Sequence, residues 1–474
     1  MTLSVSVGVL FAKAIIPQSQ WLQYRLRYGT PSRYISADTH ERGRTGRSTT
    51  AEIVHPAMIV GVPTASGDET RVAVVPGVAE DLLEDGHEVL LEAGAGETAG
   101  FDDDAYREAG CDVLDDRAAV FDRADVIFEV EALGAIEDGD ATVYREGQTV
   151  IGLLGPYDVD DDVLEALAER QVSTFALELI PRISRAQSMD ALSSMANLAG
   201  YKAMVQAASE LDKLVPMQMT AAGTVQPADV FVIGAGVAGL QAITTADRLG
   251  ASVRAYDIRP EAAEEIESVG ADFVELDVHA EDAADEEGHA QEMDEEFYRK
   301  QRAQLGEEIA EADVVITTAA VPGGPAPRLV TDEAVAAMDH GSVIVDLAAD
   351  GGGNCDVTEP DERVEYEGVT VFGPTNLPST LPRTASELYA NNLRNLFELL
   401  VEEGELTIDI DDEIVDATLL THDGTVRAPH EDDSESDGDD SSDGEEGATD
   451  ADDEHGDDTN GDRQNQTTDG GNDA

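Results

Sequence analysis

Three glycines with the spacing of a dinucleotide-binding loop stand near the middle of the chain, at Gly234, Gly236 and Gly239. They follow an apolar run, residues 228–233, and they precede a helical pattern, residues 240–249. In such a loop the first glycine permits a tight turn, the second lets the backbone approach a pyrophosphate, and the third allows the helix to pack closely on the strand. The loop therefore predicts a site for the phosphates of a dinucleotide.

An acid follows the loop at the distance that a dinucleotide site requires. Asp257 ends the next apolar run, where a carboxylate can accept hydrogen bonds from the adenosine ribose. The same carboxylate would repel a 2′-phosphate, so it favours NAD over NADP. A glycine turn that merely joins a strand to a helix is the alternative, but it leaves the acid without a role. We therefore expect NAD(H) to bind here.

The elements around this loop alternate between apolar strands and helical patterns. From Met58 onward, strands are predicted at residues 58–62, 87–92, 124–128, 149–154, 228–233, 251–257, 272–275, 313–318, 342–346 and 369–372. Helices are predicted at residues 77–84, 103–109, 240–249 and 386–402, and a long helical run is predicted through Tyr201. Residues 277–297 have no clear period, and we expect a mobile loop there. The alternation predicts two α/β domains, each with a parallel sheet covered on both faces.

The chain is strongly acidic, with 101 acidic and 29 basic residues and a formal net charge of −72. Such a charge repels nucleic acid and anionic membrane surfaces, and its self-repulsion is tolerable mainly where salt screens it. We interpret it as adaptation to a saline cytoplasm. Residues 430–474 are acidic and too poor in apolar residues to fold, so a disordered acidic C-terminal tail is expected.

Other features concern the compartment and the metal content. Cys111 and Cys355 are the only cysteines, and they cannot form a disulfide framework or a CxxC metal site, so a reducing intracellular compartment is expected. The 9 histidines are scattered and contain no HExxH pattern, so no metal is assigned. No run reaches the roughly 20 apolar residues of a membrane span, so no direct membrane insertion is expected.

The first 57 residues differ from the rest because basic residues outnumber acidic ones there. They also contain the only tryptophan, Trp21. We expect either that translation begins at Met58 or that this segment is a poorly ordered extension.

Two further runs carry a resemblance to a known family. Residues 182–201 read RISRAQSMDALSSMANLAGY, and residues 219–225 read MTAAGTV. These runs closely resemble the NAD(H)-binding alpha-1 subunit of proton-translocating NAD(P) transhydrogenase, in the family that also contains alanine dehydrogenase. The resemblance extends from about Met58 to about Pro429.

The resemblance implies two Rossmann-like, doubly wound parallel-sheet domains with a cleft between them. The first domain would comprise residues 58–181, completed by residues 375–429, and the NAD(H)-binding domain would comprise residues 182–374. A homodimer is implied, with hydride transfer to NADP(H) on a partner subunit and proton translocation by separate membrane-spanning subunits. The chain itself would be cytoplasmic and would associate peripherally with the cell membrane through those partners.

The resemblance also assigns roles to individual residues. The nicotinamide and its carboxamide would be held by Arg182, Gln187, Asp190 and Ser193 as catalytic residues, together with Ile183 and Ser184. Val237, in the loop of Gly234, Gly236 and Gly239, would lie at the pyrophosphate. The remaining contacts to the dinucleotide would come from Asp257, Ile258, Arg259, Gly288, Gln301 and Ala320. The tyrosine that usually follows that mobile-loop glycine is replaced by His289.

The chemistry implied for these residues is positioning. Hydride transfer between two nicotinamides consumes no proton at the reacting carbon, so it needs no general acid or base. The protein must instead bring two rings into contact and exclude water. Arg182, Gln187, Asp190 and Ser193 have an alternative interpretation. They could be a polar helix start, with capping residues and an Arg–Asp pair on the surface.

Two other functions are open to a chain of this kind. An alanine dehydrogenase-like enzyme would need ionisable groups at its substrate, and that family has a lysine among positions 127–131 and a histidine near 153–155. This chain has Glu129 and Glu131 at the two candidate lysine positions and Gly155 at the histidine position, although Arg71 matches an arginine of the wider family. A non-enzymatic NAD-binding sensor on the same fold is the third reading, and it would need no partner.

Overall fold

Valine- and isoleucine-rich strands form two separate sheets in the computed structural model, which describes residues 58–131, 133, 141–277, 295–321 and 324–427. The central strands are buried along almost their whole length, as expected for parallel sheets with helices on both faces. Four predictions lie outside the described residues: the start at Met58 or extension before it, the tail from residue 430, the role of Gly288, and the effect of His289. The mobile loop predicted over residues 277–297 lies mostly outside them as well, at residues 278–294.

The first sheet is built from the N-terminal portion of the described chain. Its six parallel strands are arranged in the order β6-β5-β4-β1-β2-β3, the order of a doubly wound sheet. The elements are β1 (Ile59–Val62), α1 (Pro76–Glu84), β2 (Glu88–Glu92), α2 (Asp103–Ala109), β3 (Asp112–Leu114), α3 (Arg117–Arg123), β4 (Val126–Glu131), β5 (Thr149–Leu153), α4 (Asp161–Glu169) and β6 (Ser173–Ala176).

The second sheet repeats this order and adds one antiparallel edge strand. Its strands run β11-β10-β9-β12-β13-β15-β14, and only β14 is antiparallel to its neighbour. The elements of this portion of the chain are α5 (Ala191–Glu210), β7 (Gln218–Thr220), β8 (Gly223–Val225), β9 (Asp229–Ile233), α6 (Val237–Leu249), β10 (Ser252–Tyr256), α7 (Ala262–Ser268), β11 (Asp272–Phe273), α8 (Glu295–Ala310), β12 (Val314–Thr317), α9 (Asp332–Ala337), β13 (Val343–Asp346), β14 (Arg363–Tyr366) and β15 (Val369–Phe372). Strands β7 and β8 pair with each other in a separate hairpin.

The C-terminal portion of the described chain returns to the first sheet. Strand β18 pairs antiparallel with β6, and β19 pairs with β18 at the edge. The elements are α10 (Pro382–Leu399), β16 (Val401–Glu402), β17 (Glu405–Leu406), α11 (Glu413–Thr418), β18 (Leu419–His422) and β19 (Thr425–Val426). Helix α10 packs Tyr389, Leu393 and Phe397 into the same core as β1 and β4.

Helix α5 connects the two halves of the molecule. Its first turns bury Ala191 and Met195 in the core of the first sheet, whereas Ala203 and Met204 belong to the core of the second sheet. One continuous helix therefore belongs to both cores. This fold confirms the prediction of two α/β domains with mostly parallel sheets.

Several boundaries and elements differ from the sequence-based prediction. The helix predicted over residues 386–402 is Pro382–Leu399, because a proline suits the first turn of a helix. The last residues of the predicted 277–297 loop are already helical, since α8 begins at Glu295. Within the described ranges, no helix is both long enough and apolar enough to cross a membrane.

Candidate functional site

A cleft of about 840 Å³ lies between the ends of the two sheets. Loops after parallel strands form its walls, which is where open α/β sheets bind ligands. Four of the predicted site residues line it: Arg182, Asp190, Ser193 and Ala320. The first-sheet wall also includes Gly155, Pro156, Tyr157, Asp158, Glu178 and Leu179, and the second-sheet wall includes Val321, Gly324, Pro325, Ala326, Ala348, Asp350 and Gly351.

The segment before α5 has an inward and an outward face. Ala186 and Met189 are buried in the first core, and Ile183 packs partly against it. Arg182 and Gln187 are exposed. Apolar residues three apart therefore anchor the segment and turn its polar side chains outward.

Arg182 and Gln187 form no side-chain hydrogen bond or ion pair with the parts of the chain that the structure describes. The neighbouring Arg185, by contrast, forms a bidentate ion pair with Asp412, with nitrogen–oxygen distances of 2.8 and 3.0 Å. The hydrogen bond from Arg185 is the main reason why the pKa of Asp412 lies below its usual value. Two polar groups of this segment thus stay free to bind a ligand, while a third ties it to α11.

Asp190 and Ser193 form the N-terminal cap of α5. The Asp190 carboxylate accepts hydrogen bonds from the Ser193 amide at 2.7 Å and from the Ser193 hydroxyl at 2.5 Å. The helix cap that the alternative interpretation of these polar residues requires is therefore present. Its other part, a surface Arg–Asp pair, is not seen among the described residues for Arg182.

The glycine loop has the shape that a pyrophosphate requires. Gly234 has a φ of +99°, which side chains disfavour. A Cβ on Gly239 would overlap the Gly234 carbonyl, whereas a Cβ on Gly236 would meet nothing within 4 Å. Gly236 is also the N-cap residue of α6, so the free N–H groups of the helix N-terminus lie next to open space. These residues fit a dinucleotide, and the exposed Val237 follows directly.

Asp257 is connected to the glycine loop. Its carboxylate accepts a hydrogen bond from the Ala235 amide at 2.7 Å and hydrogen bonds from the amide and Nε of Arg259 at 2.9 and 3.0 Å. Burial acts to raise the pKa of Asp257, but these hydrogen bonds outweigh it and lower the pKa. The carboxylate is therefore ionised at neutral pH and also braces the loop, while Ile258 and Arg259 remain half exposed.

Gln301 and Ala320 are placed differently from each other. Gln301 is buried and donates a hydrogen bond to the Tyr256 hydroxyl at 2.8 Å, and its Oε1 has no partner in the described portion of the chain. Ala320 is exposed on the cleft wall. Of these two residues, only Ala320 lines the cleft.

Asn354 is a site residue that the sequence did not single out. It is fully buried, and its Nδ2 donates to the carbonyls of Ala319 and Pro327 at 2.7 and 2.9 Å. Its Oδ1 accepts from the Ala319 amide at 3.0 Å. This one side chain thus holds both ends of the loop after β12, next to Ala320. The available sequence signal was an asparagine that directly follows three glycines, residues 351–353.

Glu178 is a second residue that was missed. Its carboxylate accepts hydrogen bonds from the amides of Leu154 and Gly155, at 3.1 and 2.7 Å, so it fixes the loop after β5 at the cleft wall. Burial raises its pKa above the usual value of 4.5, although the amide hydrogen bonds act in the opposite direction.

The positions relevant to an alanine dehydrogenase are occupied by internal contacts. Arg71 is buried in a bidentate ion pair with Glu69, at 2.6 and 2.7 Å. Glu129 is buried and accepts a hydrogen bond from the Tyr144 hydroxyl at 2.5 Å. Gly155 carries no ionisable group. These positions therefore supply no lysine or histidine for amino acid oxidation.

Comparison with models of known protein families gives a match for each half of the chain. The family model described as "Alanine dehydrogenase/PNT, N-terminal domain" matches residues 61–199. The model described as "Alanine dehydrogenase/PNT, C-terminal domain" matches residues 203–429.

Individual relatives are similar over most of this chain. NAD(P) transhydrogenase subunit alpha of Cereibacter sphaeroides is 45% identical over 377 residues, which are 78% of this chain and 71% of that protein. NAD(P) transhydrogenase subunit alpha of Haemophilus influenzae is 43% identical over 376 residues, which are 78% of this chain and 72% of that protein. The solved structure of transhydrogenase from Sinorhizobium meliloti superposes with a TM-score of 0.69 and 45% identity, over 78% of this chain and 100% of that one. The chain therefore belongs to the alanine dehydrogenase/PNT family.

Proposed function

We propose that this chain is the NAD(H)-binding alpha subunit of an NAD(P) transhydrogenase. The observation that carries the proposal is the exposed Arg182 side chain beside the capped start of α5, at a cleft whose described walls contain no lysine or histidine. Gln187 is exposed on the same segment. The similarity to transhydrogenase alpha subunits supports it. When bound, NAD(H) supplies or accepts the hydride.

The residues of the chain would act by binding and orientation. Arg182, Gln187, Asp190 and Ser193 would orient the nicotinamide at the cleft, with support from Ile183 and Ser184. Because Asp190 already caps α5 through Ser193, its carboxylate is fixed before any ligand binds. A preorganised group of this kind costs no reorganisation during transfer.

The rest of the dinucleotide would be held by the second sheet. The helix start at Gly236, together with Val237, would bind the pyrophosphate through backbone N–H groups. Asp257, Ile258 and Arg259 would bind the adenosine ribose, and Ala320 would contact the dinucleotide along the cleft wall. Gln301 is buried and would support the dinucleotide site through its hydrogen bond to the Tyr256 hydroxyl. Roles for Gly288 and His289 stay predictions.

We propose that the chain forms a homodimer. The hairpin of β7 and β8 is exposed at every residue of both strands, and an isolated two-stranded hairpin is marginally stable in water. Its side chains include Met219, which is 73% exposed, and Val225, which is 42% exposed. A second copy of the chain would cover these apolar groups.

We also propose partners and a setting for the subunit. NADP(H) would be bound by a separate subunit that approaches the cleft, and membrane-spanning subunits would couple hydride transfer to proton translocation. The chain would work in the cytoplasm, associated with the membrane through those partners. The net charge of −72 supports adaptation to a saline interior, where salt screens the self-repulsion.

The test separates this function from its two alternatives. The full chain is mixed at high salt with an NADP(H)-binding transhydrogenase subunit, and reduction of NADP⁺ by NADH is measured. We expect NADH binding by the chain alone and hydride transfer only with the partner. NADH oxidation by pyruvate and ammonia without a partner would indicate an alanine dehydrogenase, and binding without any hydride transfer would indicate a sensor.

A further inference from the structure

Two asparagines of α10 hold the segment that contains Arg182 and Gln187. Asn392 and Asn395 each donate a hydrogen bond through Nδ2 to the backbone carbonyl of Ser188, both at 2.9 Å. A carbonyl oxygen has two lone pairs, so this acceptor is fully used by two side chains. Both side chains come from a helix that is remote in sequence.

The carbonyl that accepts these hydrogen bonds lies within the segment that carries the proposed nicotinamide-binding residues. Ser188 directly follows Gln187 and lies two residues before Asp190, the cap of α5. The segment contains few helical hydrogen bonds of its own, since α5 begins only at Ala191. Its position therefore depends on its buried side chains, on the Arg185–Asp412 ion pair, and on this carbonyl.

We infer that Asn392 and Asn395 are positioning residues for hydride transfer. They fix the Ser188 carbonyl and thereby set the position of the exposed Gln187 and of Asp190 at the cleft wall. The inference rests on the proposed function, because it assigns a catalytic consequence to a backbone contact.

The main apolar anchors of α10 are other side chains. The helix is already anchored by Tyr389, Leu393 and Phe397, which are fully buried. Asn391, on the exposed side of the same helix, donates instead to the Glu387 carbonyl one turn earlier. An asparagine of α10 can thus bond within its own helix, whereas Asn392 and Asn395 reach across to Ser188.

The two donors are expected to act jointly. Residues that share one partner give non-additive effects when both are changed. Removal of one donor leaves the other on the carbonyl, but removal of both leaves it without a side-chain partner. The rate lost in the double variant should therefore exceed the product of the two single losses.

The experiment compares Asn392→Ala, Asn395→Ala, the double variant and the matched control Asn391→Ala in the full chain. Hydride transfer from NADH to NADP⁺ is measured with the NADP(H)-binding subunit, and NADH affinity is measured with the chain alone. Hydrogen exchange of a peptide spanning residues 182–190 reports the position of the segment directly. Asn395 is only partly buried, so its variant tests the inference even if Asn392→Ala folds poorly.

We expect hydride transfer to fall about 5-fold in each single variant and roughly 100-fold in the double variant, the loss that a misplacement near 1 Å produces. NADH affinity should stay within about 2-fold, because the pyrophosphate and adenosine are held by the second sheet. Hydrogen exchange over residues 182–190 should rise in the same order, and Asn391→Ala should match the wild type.

The outcomes distinguish the inference from the proposed function. If the wild-type chain transfers no hydride with its partner, the proposed function is wrong and the inference falls with it. If the wild type is active and the double variant equals Asn391→Ala in rate and exchange, only the inference is wrong. An equal loss of NADH affinity and of rate would also overturn it, since that result indicates a role in binding or folding.

Discussion

Gly200 of α5 lies against the carbonyl of Ala238 in the first turn of α6, so closely that a Cβ on Gly200 would overlap the carbonyl oxygen. The start of α5 carries Asp190, and the start of α6 follows the open Gly236. The two helix ends proposed for the nicotinamide and the pyrophosphate are therefore held at a fixed separation by one glycine.

Gly200→Ala should consequently damage both stability and hydride transfer. Alanine gains about 1 kcal/mol of helix propensity, but overpacking against Ala238 costs about 1–3 kcal/mol and displaces α5. We expect net destabilisation and a fall in hydride transfer of roughly 10-fold or more. Denaturant unfolding and the transfer assay measure the two effects.

Gly306 of α8 provides the control for this substitution. It also lies inside a helix, but a Cβ there would meet only the Ala334 side chain, at 3.8 Å. Gly306→Ala should therefore be neutral or stabilising, by up to about 1 kcal/mol. Equal behaviour of the two alanine variants would show that the Gly200 contact does not constrain α5.

Asp257 should contribute to NADH affinity in two ways, as a ligand for the adenosine ribose and as a brace for the glycine loop. Asp257→Ala removes an acceptor from the Ala235 amide as well as a ligand for the ribose, so loop and ligand are affected together. Loss of charge-assisted hydrogen bonds costs about 1.5–3 kcal/mol each, and we expect NADH affinity to fall by roughly 10- to 100-fold. Glu261→Ala, at a nearby exposed acid, makes the same charge change and should leave binding intact.

Glu129 should make stability depend on pH near neutrality. Burial raises its pKa from 4.5 to about 7, although hydrogen bonds from Tyr144 and from the Leu133 amide act to lower it. The folded state therefore holds this proton more tightly than the unfolded chain does. The stabilisation is fully present below pH 4.5, the unfolded pKa, and is lost as the pH rises through about 7.

Glu129→Gln tests this dependence because glutamine stays neutral and can still accept from Tyr144. As the pH rises from about 5 to 8, the wild type should lose on the order of 2–3 kcal/mol relative to the variant. Chemical unfolding across that range, at constant salt, gives the difference. Glu88→Gln, at an exposed strand position, is the control, and a parallel pH profile for wild type and Glu129→Gln would contradict the prediction.

Much of the fold was readable because strong periodic signals coincide with long elements. The centre of the second sheet was predicted from three signals. These are the apolar run before Gly234, the glycine loop and the acid at Asp257. Short elements such as β3 (Asp112–Leu114) and α3 (Arg117–Arg123) were missed, since a few residues in an acidic sequence carry little periodicity. Resemblance, not periodicity, identified Arg182 and its neighbours.

Other features of the site depend on contacts between distant regions of the chain. Nothing local to Asn392 indicates that it meets the Ser188 carbonyl, and nothing local to Gln301 indicates that it is buried and hydrogen-bonded to Tyr256. Such contacts are decided by how α10 and α8 pack on their sheets. They become visible only when the topology is known.

Asp190→Asn should separate the chemical role of this residue from its structural role. Asparagine caps helices as well as aspartate does, and it can still accept from the Ser193 amide, so unfolding should change by less than about 0.5 kcal/mol. The negative charge beside the nicotinamide site is lost, and we expect hydride transfer to fall roughly 10-fold or more while NADH affinity changes less than about 3-fold. Asp102→Asn makes the same change at the cap of α2, whose carboxylate accepts from the Ala105 amide, and it should leave transfer unaffected. If Asp190→Asn lowered affinity and rate equally, Asp190 would only support binding.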